Sequence, residues 1–493
     1  MIHRWKVMHN IMYLGRNLAK EANIVRTSFA RPARTIDLCD VARVTIATLP
    51  DVALLEIFDF YMYEEQIEAW YALVHVCRKW RKVVFGSPRR LNLRLYYRAG
   101  APVLETLDVW PPLPIVVRVY SDEAWDESDI VAILEHNDRV CGIDLWPGFV
   151  PNSQLENLFA AMRQPFPALT RLQLQCEEDT APLVANSFLG GSAPGLQSLA
   201  LGAIPFPGLP KLLLSAIDLV DLQLEGVPHP GYFSPEAMVT SLTALTRLER
   251  LVIKFDSPRC RPDRRSRRPP LLTRTLLPAL AAFQFKGVGK YLEDLVARID
   301  APLLNHLEVT FFHQLIFDTP QLTQFISRTP KFNVRDEARV VFSESDVQIT
   351  LSQTFDETLK LGILCNQSEW QLSSMAQVGN SFFPQALVHT VEHFYILENE
   401  FWRPIWQDDI ENDQWLELLH PFTNVKDLHL SREFVPRITP ALRELVGERV
   451  TEVLPALGTV CLEGPLLLGP VQEAIGQFVA ARQFAGHPIS VFP

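Results

Sequence analysis

The stretch LVDLQL, Leu219 to Leu224, sets apolar residues at its first, fourth and sixth positions. Its second half alternates apolar and polar, which is the period of a half-buried strand. The same figure stands upstream as VCGIDL at 140–145, LTRLQL at 169–174 and LQSLAL at 196–201. Downstream it returns as LERLVI at 248–253, LAAFQF at 280–285, LNHLEV at 304–309, VEHFYI at 391–396, VKDLHL at 425–430 and LGTVCL at 457–462. Most neighbouring copies lie 23 to 34 residues apart, with one wide gap between 309 and 391.

A short strand recurring at this spacing is the signature of a leucine-rich solenoid, in which each unit buries its apolar face only by stacking on the next. Helical patterns fall between the copies. Ser153 and Glu156 make a capping box ahead of Leu158 and Met162, and Ser234-Pro235 opens a helix through Met238 and Leu242. Asp129 to Glu135, Thr439-Pro440 to Val453, and Pro470 to Phe484 with Gly486 as the stop are further helices. The asparagine that follows the strand in regular leucine-rich repeats is missing: Glu177, Ile204, Val227, Asp256 and Phe312 hold the equivalent positions. The arc is therefore expected to be irregular. Residues 313–385 carry no clean copy, and ARVVFSESDVQITLS at 338–352 reads as two short strands. A general α/β domain with leucine-rich strands is the plainer alternative.

Composition agrees with an ordered globular chain: 48% apolar residues, 21% charged residues and a net charge of −11 over 493 residues. A surplus of acid argues against general nucleic-acid affinity. No run of 18 apolar residues exists, so no membrane span is expected. The seven cysteines include no Cys-x-x-Cys pair, which points to a reducing compartment, cytoplasmic or nuclear or both. Residues 1–43 form a basic lead-in read as disordered, although Arg-rich, acid-poor composition also suits a transit peptide. The insert SPRCRPDRRSRRPP at 257–270, with six arginines and four prolines, reads as a disordered loop, an import signal or a contact for an acidic partner.

A second stretch, TLPDVALLEIFDFYMYEEQIEAWYALVHVCRKW from Thr48 to Trp80, is too apolar for its length. Pro50 and Asp51 suit the first turn of a helix. On a wheel, Leu54, Leu55, Ile57, Phe58, Phe60, Tyr61 and Met62 cover over half the circumference, where an ordinary surface helix shows a stripe of about 100°. A second helix from Glu68 to Phe85 repeats the excess with Trp70, Leu73, Val74, Val76, Cys77, Trp80, Val83 and Val84. Two such helices cover one flank of each other. A third body covering about five large side chains gains roughly 2 kcal/mol from each. That body is either the rest of the chain or a separate protein.

Leu49-Pro50, then Leu54-Leu55-Glu56-Ile57-Phe58, then WYALVHVCRKWRKVV at 70–84 resembles an F-box. The match covers residues 44–97, a small all-helical module, and 98–493 becomes the irregular leucine-rich-repeat-like solenoid of an α+β or α/β repeat protein. This chain has Val52-Ala53 where many boxes carry a polar or acidic residue. The resemblance implies docking onto the Skp-type adaptor of a cullin-RING ubiquitin ligase. By position, Leu49, Pro50, Leu54, Leu55, Ile57 and Phe58 would meet the adaptor, with Trp70, Val76 and Trp80 packing the box or its rim.

No phosphate-cradling glycine loop, His-Glu-x-x-His or Gly-x-Ser-x-Gly elbow occurs, and the expectation is no catalytic residue, cofactor or metal. GVGK at 287–290 is too short to cradle phosphate. His389 and His393 look like a ligand pair, but VHTVEHFYI at 388–396 alternates as a strand, which sets them about 13 Å apart. Asp408, Asp409, Glu411, Asp413 and Glu417 resemble a calcium loop, but Gln414 stands where the sixth-position glycine belongs. Cys77 reads as a buried small hydrophobe.

Residues between the buried strand positions point to an open face. They are Arg171, Gln173, Gln175, Asp221, Gln223, Glu225, Arg250, Val252, Lys254, His306, Glu308, Thr310, His393, Tyr395, Asp427 and His429. Mixed charge with occasional aromatics suits a protein target. The expected function is a substrate receptor that docks the ligase adaptor through its box and holds a target protein on the repeats. A repeat scaffold with no ubiquitin role, and an enzyme with a dispersed site, remain as alternatives.

Overall fold

The computed structural model describes residues 49–64, 70–97, 107, 110–119, 126–145, 152–176, 181–259, 274–313, 317–354, 357–365, 368–382, 385–399, 401–404, 412–463 and 469–492. The basic lead-in, residues 260–270 of the Arg/Pro insert, and Asp408, Asp409 and Glu411 lie outside them. The chain divides into two compact units. One runs to Tyr97 and takes up 104–115; the other holds 116–493. The segment around Trp110 thus belongs with the first unit, beyond the expected boundary at 97.

The first unit holds α1 (Asp51–Glu64), α2 (Trp70–Val76), α3 (Arg78–Gly86) and β1 (Leu95–Tyr97), so it is not purely helical. The single helix expected from Glu68 to Phe85 is two helices. Cys77 breaks it with an extended backbone (φ −159°, ψ 170°), and its Sγ accepts from the Trp80 backbone N–H at 3.5 Å. Cys77 is half-buried and caps α3, a role that Ser or Asp usually fills. Trp70 is the centre of this unit. It is fully buried, donates from Nε1 to the Arg94 carbonyl at 3.0 Å, and meets Trp110 edge-on at 5.3 Å between ring centroids.

The second unit is built on one large, mostly parallel sheet. The six-residue copies become β3 (Val140–Leu145), β4 (Arg171–Gln175), β5 (Ser198–Gly202), β6 (Asp221–Val227), β7 (Arg250–Phe255), β9 (Ala282–Gly287) and β11 (His306–Phe312). Further along come β15 (His393–Glu398), β16 (Asp427–Leu430) and β17 (Thr459–Leu462). Before β3 stands β2 (Ile115–Val119), and after β17 stands β18 (Ser490–Phe492). The short strands β8 (Thr275–Leu276) and β10 (Ile299–Asp300) pair with each other alone. The leading apolar residue of most copies falls two positions before its strand and is buried, as at Leu169, Leu196, Leu219, Leu248, Leu280 and Leu304. Each plugs the turn that feeds the strand, where a ladder of backbone bonds continues below the sheet: Val220 N to Gln197 O, Glu249 N to Val220 O, Ala281 N to Glu249 O and Asn305 N to Ala281 O.

The region without copies departs from a purely parallel solenoid. β12 (Glu337–Phe342), β13 (Asp346–Thr354) and β14 (Glu357–Leu364) form an antiparallel meander. β14 pairs parallel with β11, and β12 pairs parallel with β15, so the sheet runs β9-β11-β14-β13-β12-β15 without a gap. The three strands fill the interval with one hydrogen-bonded surface.

Helices cover the other face. They are α4 (Glu127–Leu134), α5 (Asn152–Ala161), α6 (Leu209–Leu213), α7 (Pro235–Leu242), α8 (Gly289–Val296), α9 (Pro320–Arg328), α10 (Ser368–Phe382), α11 (Gln385–Val388), α12 (Asn412–Leu419), α13 (Val435–Arg443) and α14 (Pro470–Phe484). Ser234 caps α7 as expected, accepting from Ala237 N at 3.2 Å. α5 begins at Asn152, so Ser153 lies inside its first turn instead of at the cap. α13 begins four residues earlier than Thr439-Pro440, because Pro436 occupies its first turn and Pro440 is carried inside the helix.

Where the asparagine ladder is missing, arginines near helix ends hold the carbonyls one repeat upstream. Arg328 at the end of α9 donates to Asp300 Oδ1 (2.7 Å), Ile299 O (3.0 Å) and Val296 O (3.1 Å). Arg482, fully buried in α14, donates to Val450 O (2.9 Å), Leu457 O (3.1 Å), Leu454 O (3.3 Å) and Pro455 O (3.3 Å).

Candidate functional site

Two surfaces emerge, one on each unit. In the first, α1 turns Leu54 and Phe58 inward at helical spacing, and both are fully buried. Phe58 meets Trp80 edge-on at 4.8 Å. The opposite side leaves Val52 66%, Ile57 44% and Phe60 65% exposed. At 100° per residue these three span an arc of about 140°. Val76, at the end of α2, is 56% exposed. Lys79 Nζ donates to the Leu49 carbonyl at 2.6 Å and lies 3.9 Å from Asp51, which ties the Leu49-Pro50 entry to α3.

The residues expected to touch an adaptor therefore separate. Leu54, Phe58 and Trp70 are interior and shape the surface from beneath. Pro50, Ile57 and Val76 are exposed, while Leu49, Leu55 and Trp80 are half-buried. Val52 and Phe60 complete the exposed apolar set. Their position on the wheel beside Glu56 was legible, but the wheel alone does not say which flank the unit's own core takes.

On the second unit, the outward strand residues align in register across the sheet. One row runs Asp144, Gln173, Ala200, Gln223, Val252, Gln284, Glu308, Lys360, Thr350, Arg339, Tyr395, His429, Cys461. The adjoining row brings Arg171, Asp221, Arg250, His306, Glu337, His393 and Asp427 onto the same face. Arg171, Gln173, Asp221, Gln223, Arg250, His306, Glu308, His393, Tyr395 and His429, all expected to contact a target, lie on this one face. Val252, also expected there, is buried.

Local pairs set the character of the face. Lys360 Nζ lies 3.2 Å from Glu308, and Lys254 Nζ lies 3.3 Å from Glu225. His393 Nδ1 is 2.9 Å from Asp427, and Arg339 is 3.0 Å from Glu337. The Arg339 guanidinium sits 5.2 Å over the Tyr395 ring, which in turn stacks on His429 at 4.2 Å and 14°. Burial lowers the pKa of His429, against the pull of Asp427, and burial raises that of Tyr395, with Glu337 adding to it. His306 is likewise lowered by burial, with Glu308 opposing.

Arg339, Lys360, Gln284 and Lys286 were not among the expected face residues. Gln284 and Lys286 follow from the LAAFQF copy by the same alternation. Arg339 and Lys360 sit in the meander, where the signal was the alternation of TLKLGIL at 358–364 and ARVVF at 338–342. His389 does not share a strand with His393. It occupies the turn after α11, with Nδ1 2.7 Å from Thr423 Oγ1. Among the described residues, no cluster of three or more His, Cys, Asp or Glu side chains is placed to hold a metal ion. Among them, too, no helix is long and apolar enough to cross a membrane.

No protein-family model matches the chain, and no curated protein matches it. Among solved structures, the leucine-rich repeat-containing protein LegL7 from Legionella pneumophila aligns with a TM-score of 0.27 and 11% identity, over 78% of this chain and 97% of that one.

Proposed function

We propose that this chain is the substrate-recognition subunit of a Skp-cullin-F-box ubiquitin ligase. Its helical unit docks the Skp-type adaptor, and its strand face holds a target protein. The chain performs no covalent step. It acts by position, raising the effective concentration of target lysines near the conjugating enzyme. The observation that carries the reading is the apolar flank of α1 and α2. Val52, Ile57, Phe60 and Val76 stay exposed, within the residues that resemble an F-box. Burying large apolar side chains is worth roughly 1.5–3 kcal/mol each, so this set is on the scale of the association cost, which starts near about 4 kcal/mol. A cytoplasmic or nuclear location belongs to the same proposal.

Co-expression of the full chain with a Skp-type adaptor tests it. The two should elute together, and Ile57→Glu with Phe60→Glu should abolish co-elution while the melting temperature stays unchanged, because both side chains already face solvent. Absence of co-elution with the unaltered chain removes the ligase role. It leaves a repeat-type interaction scaffold, which the continuous polar strand face supports independently of the helical unit.

A further inference from the structure

Charge is unevenly spread over the strand face. On the four adjacent strands β7, β9, β11 and β14, the outward positions hold Arg250, Lys254, Lys286 and Lys360, and Glu308 is the acid among them. Lys254 and Lys286 stand directly opposite each other across β7 and β9. Like charges so placed repel in a sheet. Lys254 is offset by Glu225 at 3.3 Å, whereas Lys286 rests over the Phe312 ring at 5.6 Å. Among the described residues, neither Arg250 nor Lys286 has an ion-pair partner. The small side chain of Ala282 stands opposite Arg250. All this belongs to a chain whose net charge is −11.

We propose that the target segment held on the strand face is carboxylate-rich, and that Arg250, Lys254, Lys286 and Lys360 contact it. The inference rests on the reading of this face as the target surface and adds the chemistry of what is recognised. The band is four strands wide, about 15 Å at the usual strand spacing, which an extended segment of about five residues crosses. Its limits matter as much as its sign. Asp144, Asp221 and Glu225 lie on one side, and Glu337 and Asp427 on the other. A nucleic-acid backbone running past the band meets those carboxylates, whereas a short acidic peptide segment ends before them. Charge complementarity of this kind selects partner and register more than it adds affinity.

The test uses the full chain and a fluorescent peptide of alternating Glu and Ser, with its Lys-Ser counterpart as control. At low ionic strength the Glu peptide should bind saturably and weaken as salt is added, and the Lys peptide should not bind. Lys254→Gln with Lys286→Gln should weaken binding roughly tenfold. Lys286→Gln alone, which leaves the Lys254–Glu225 pair intact, should weaken it roughly threefold. Lys211→Gln, on α6 and off the strand face, should leave it unchanged. No binding of the Glu peptide, equal binding by the double variant, or tighter binding of a single-stranded oligonucleotide overturns the proposal.

A target captured by the full chain separates this inference from the reading beneath it. Release by Gln173→Arg with His429→Arg, and also by the two lysine substitutions, supports both. Release by the first pair alone keeps the strand face as target surface and removes the acidic chemistry. Release by neither removes the face itself.

Discussion

The helical unit and the repeat unit dispose of their apolar side chains in opposite ways. On α1, Leu54 and Phe58 are sealed while Val52, Ile57 and Phe60 face water. On β4, β5 and β6, the strand leucines Leu172, Leu174, Leu199, Leu201, Leu222 and Leu224 are all buried, and the positions between them are Gln173, Ala200 and Gln223. Geometry explains the difference. A strand has two faces, and stacking one repeat on the next covers the apolar face completely. A helix pair leaves outer flanks that nothing in a short module reaches. Under the proposed function the two surfaces would suit different partners. Apolar area would drive association at the helical unit, while charge and hydrogen bonding would sort targets at the strand face.

The strongest test sets interior against exterior within the helical unit. Trp70→Ala removes a fully buried indole, its bond to the Arg94 carbonyl and its edge contact with Trp110. A loss of about 3–5 kcal/mol is expected, read as a lowered midpoint in chemical denaturation and as loss of adaptor binding through unfolding. Ile57→Glu should keep an unchanged midpoint and, under the proposed function, lose adaptor binding. If both substitutions unfold the unit alike, its exposed flank is structural and the contrast fails.

The repeat unit has its own interior weak point. Arg482→Met keeps the side-chain length but leaves the Val450, Leu454, Pro455 and Leu457 carbonyls without their donor. Burial lowers the Arg482 pKa, and in place of water the guanidinium donates to those four carbonyl oxygens. The expected loss is about 3 kcal/mol. Because each repeat leans on its neighbour, it should appear as local loosening. Amide exchange should speed in α13, β17 and α14 and stay slow in β4 to β6. Uniform acceleration across the sheet would mean that the repeats unfold as one body.

How far this contrast was legible in the sequence depended on period. Alternation at 171–175, 198–202 and 221–224 fixed both the strand and its outward residues, since a one-residue shift would bury Gln173 and Gln223. The helix from Pro470 to Phe484 was fixed by Pro at its start and Gly486, with φ +85°, beyond its end. Tertiary effects were not legible. The break at Cys77 left no Pro or Gly behind, because a thiol does the capping. The meander at β12 to β14 alternates as parallel strands do, and nothing local tells an antiparallel neighbour from a parallel one. Arg328 and Arg482 are cations in the last turn of their helices, and only stacking reveals which carbonyls they meet.

The smallest effect concerns protons on the strand face. His429 stacks on Tyr395, and its ring is held below the ordinary value of 6.5, first by burial, with His393 adding a smaller push and Asp427, Glu337 and Glu463 opposing. His306 is depressed for the same first reason. A depressed histidine contributes stability that is fully present above the unfolded value. That contribution is lost as pH falls through 6.5 toward the folded value, because the unfolded chain takes up the proton first. The melting temperature should therefore slip between about pH 7.5 and about pH 5.5, and His306→Gln with His429→Gln should reduce the slope. An unchanged slope in that double variant would place the titrating groups elsewhere. The strand face would then carry charges that are not tied to the fold beneath, as the exposed flank of α1 is expected to carry apolar side chains that are not.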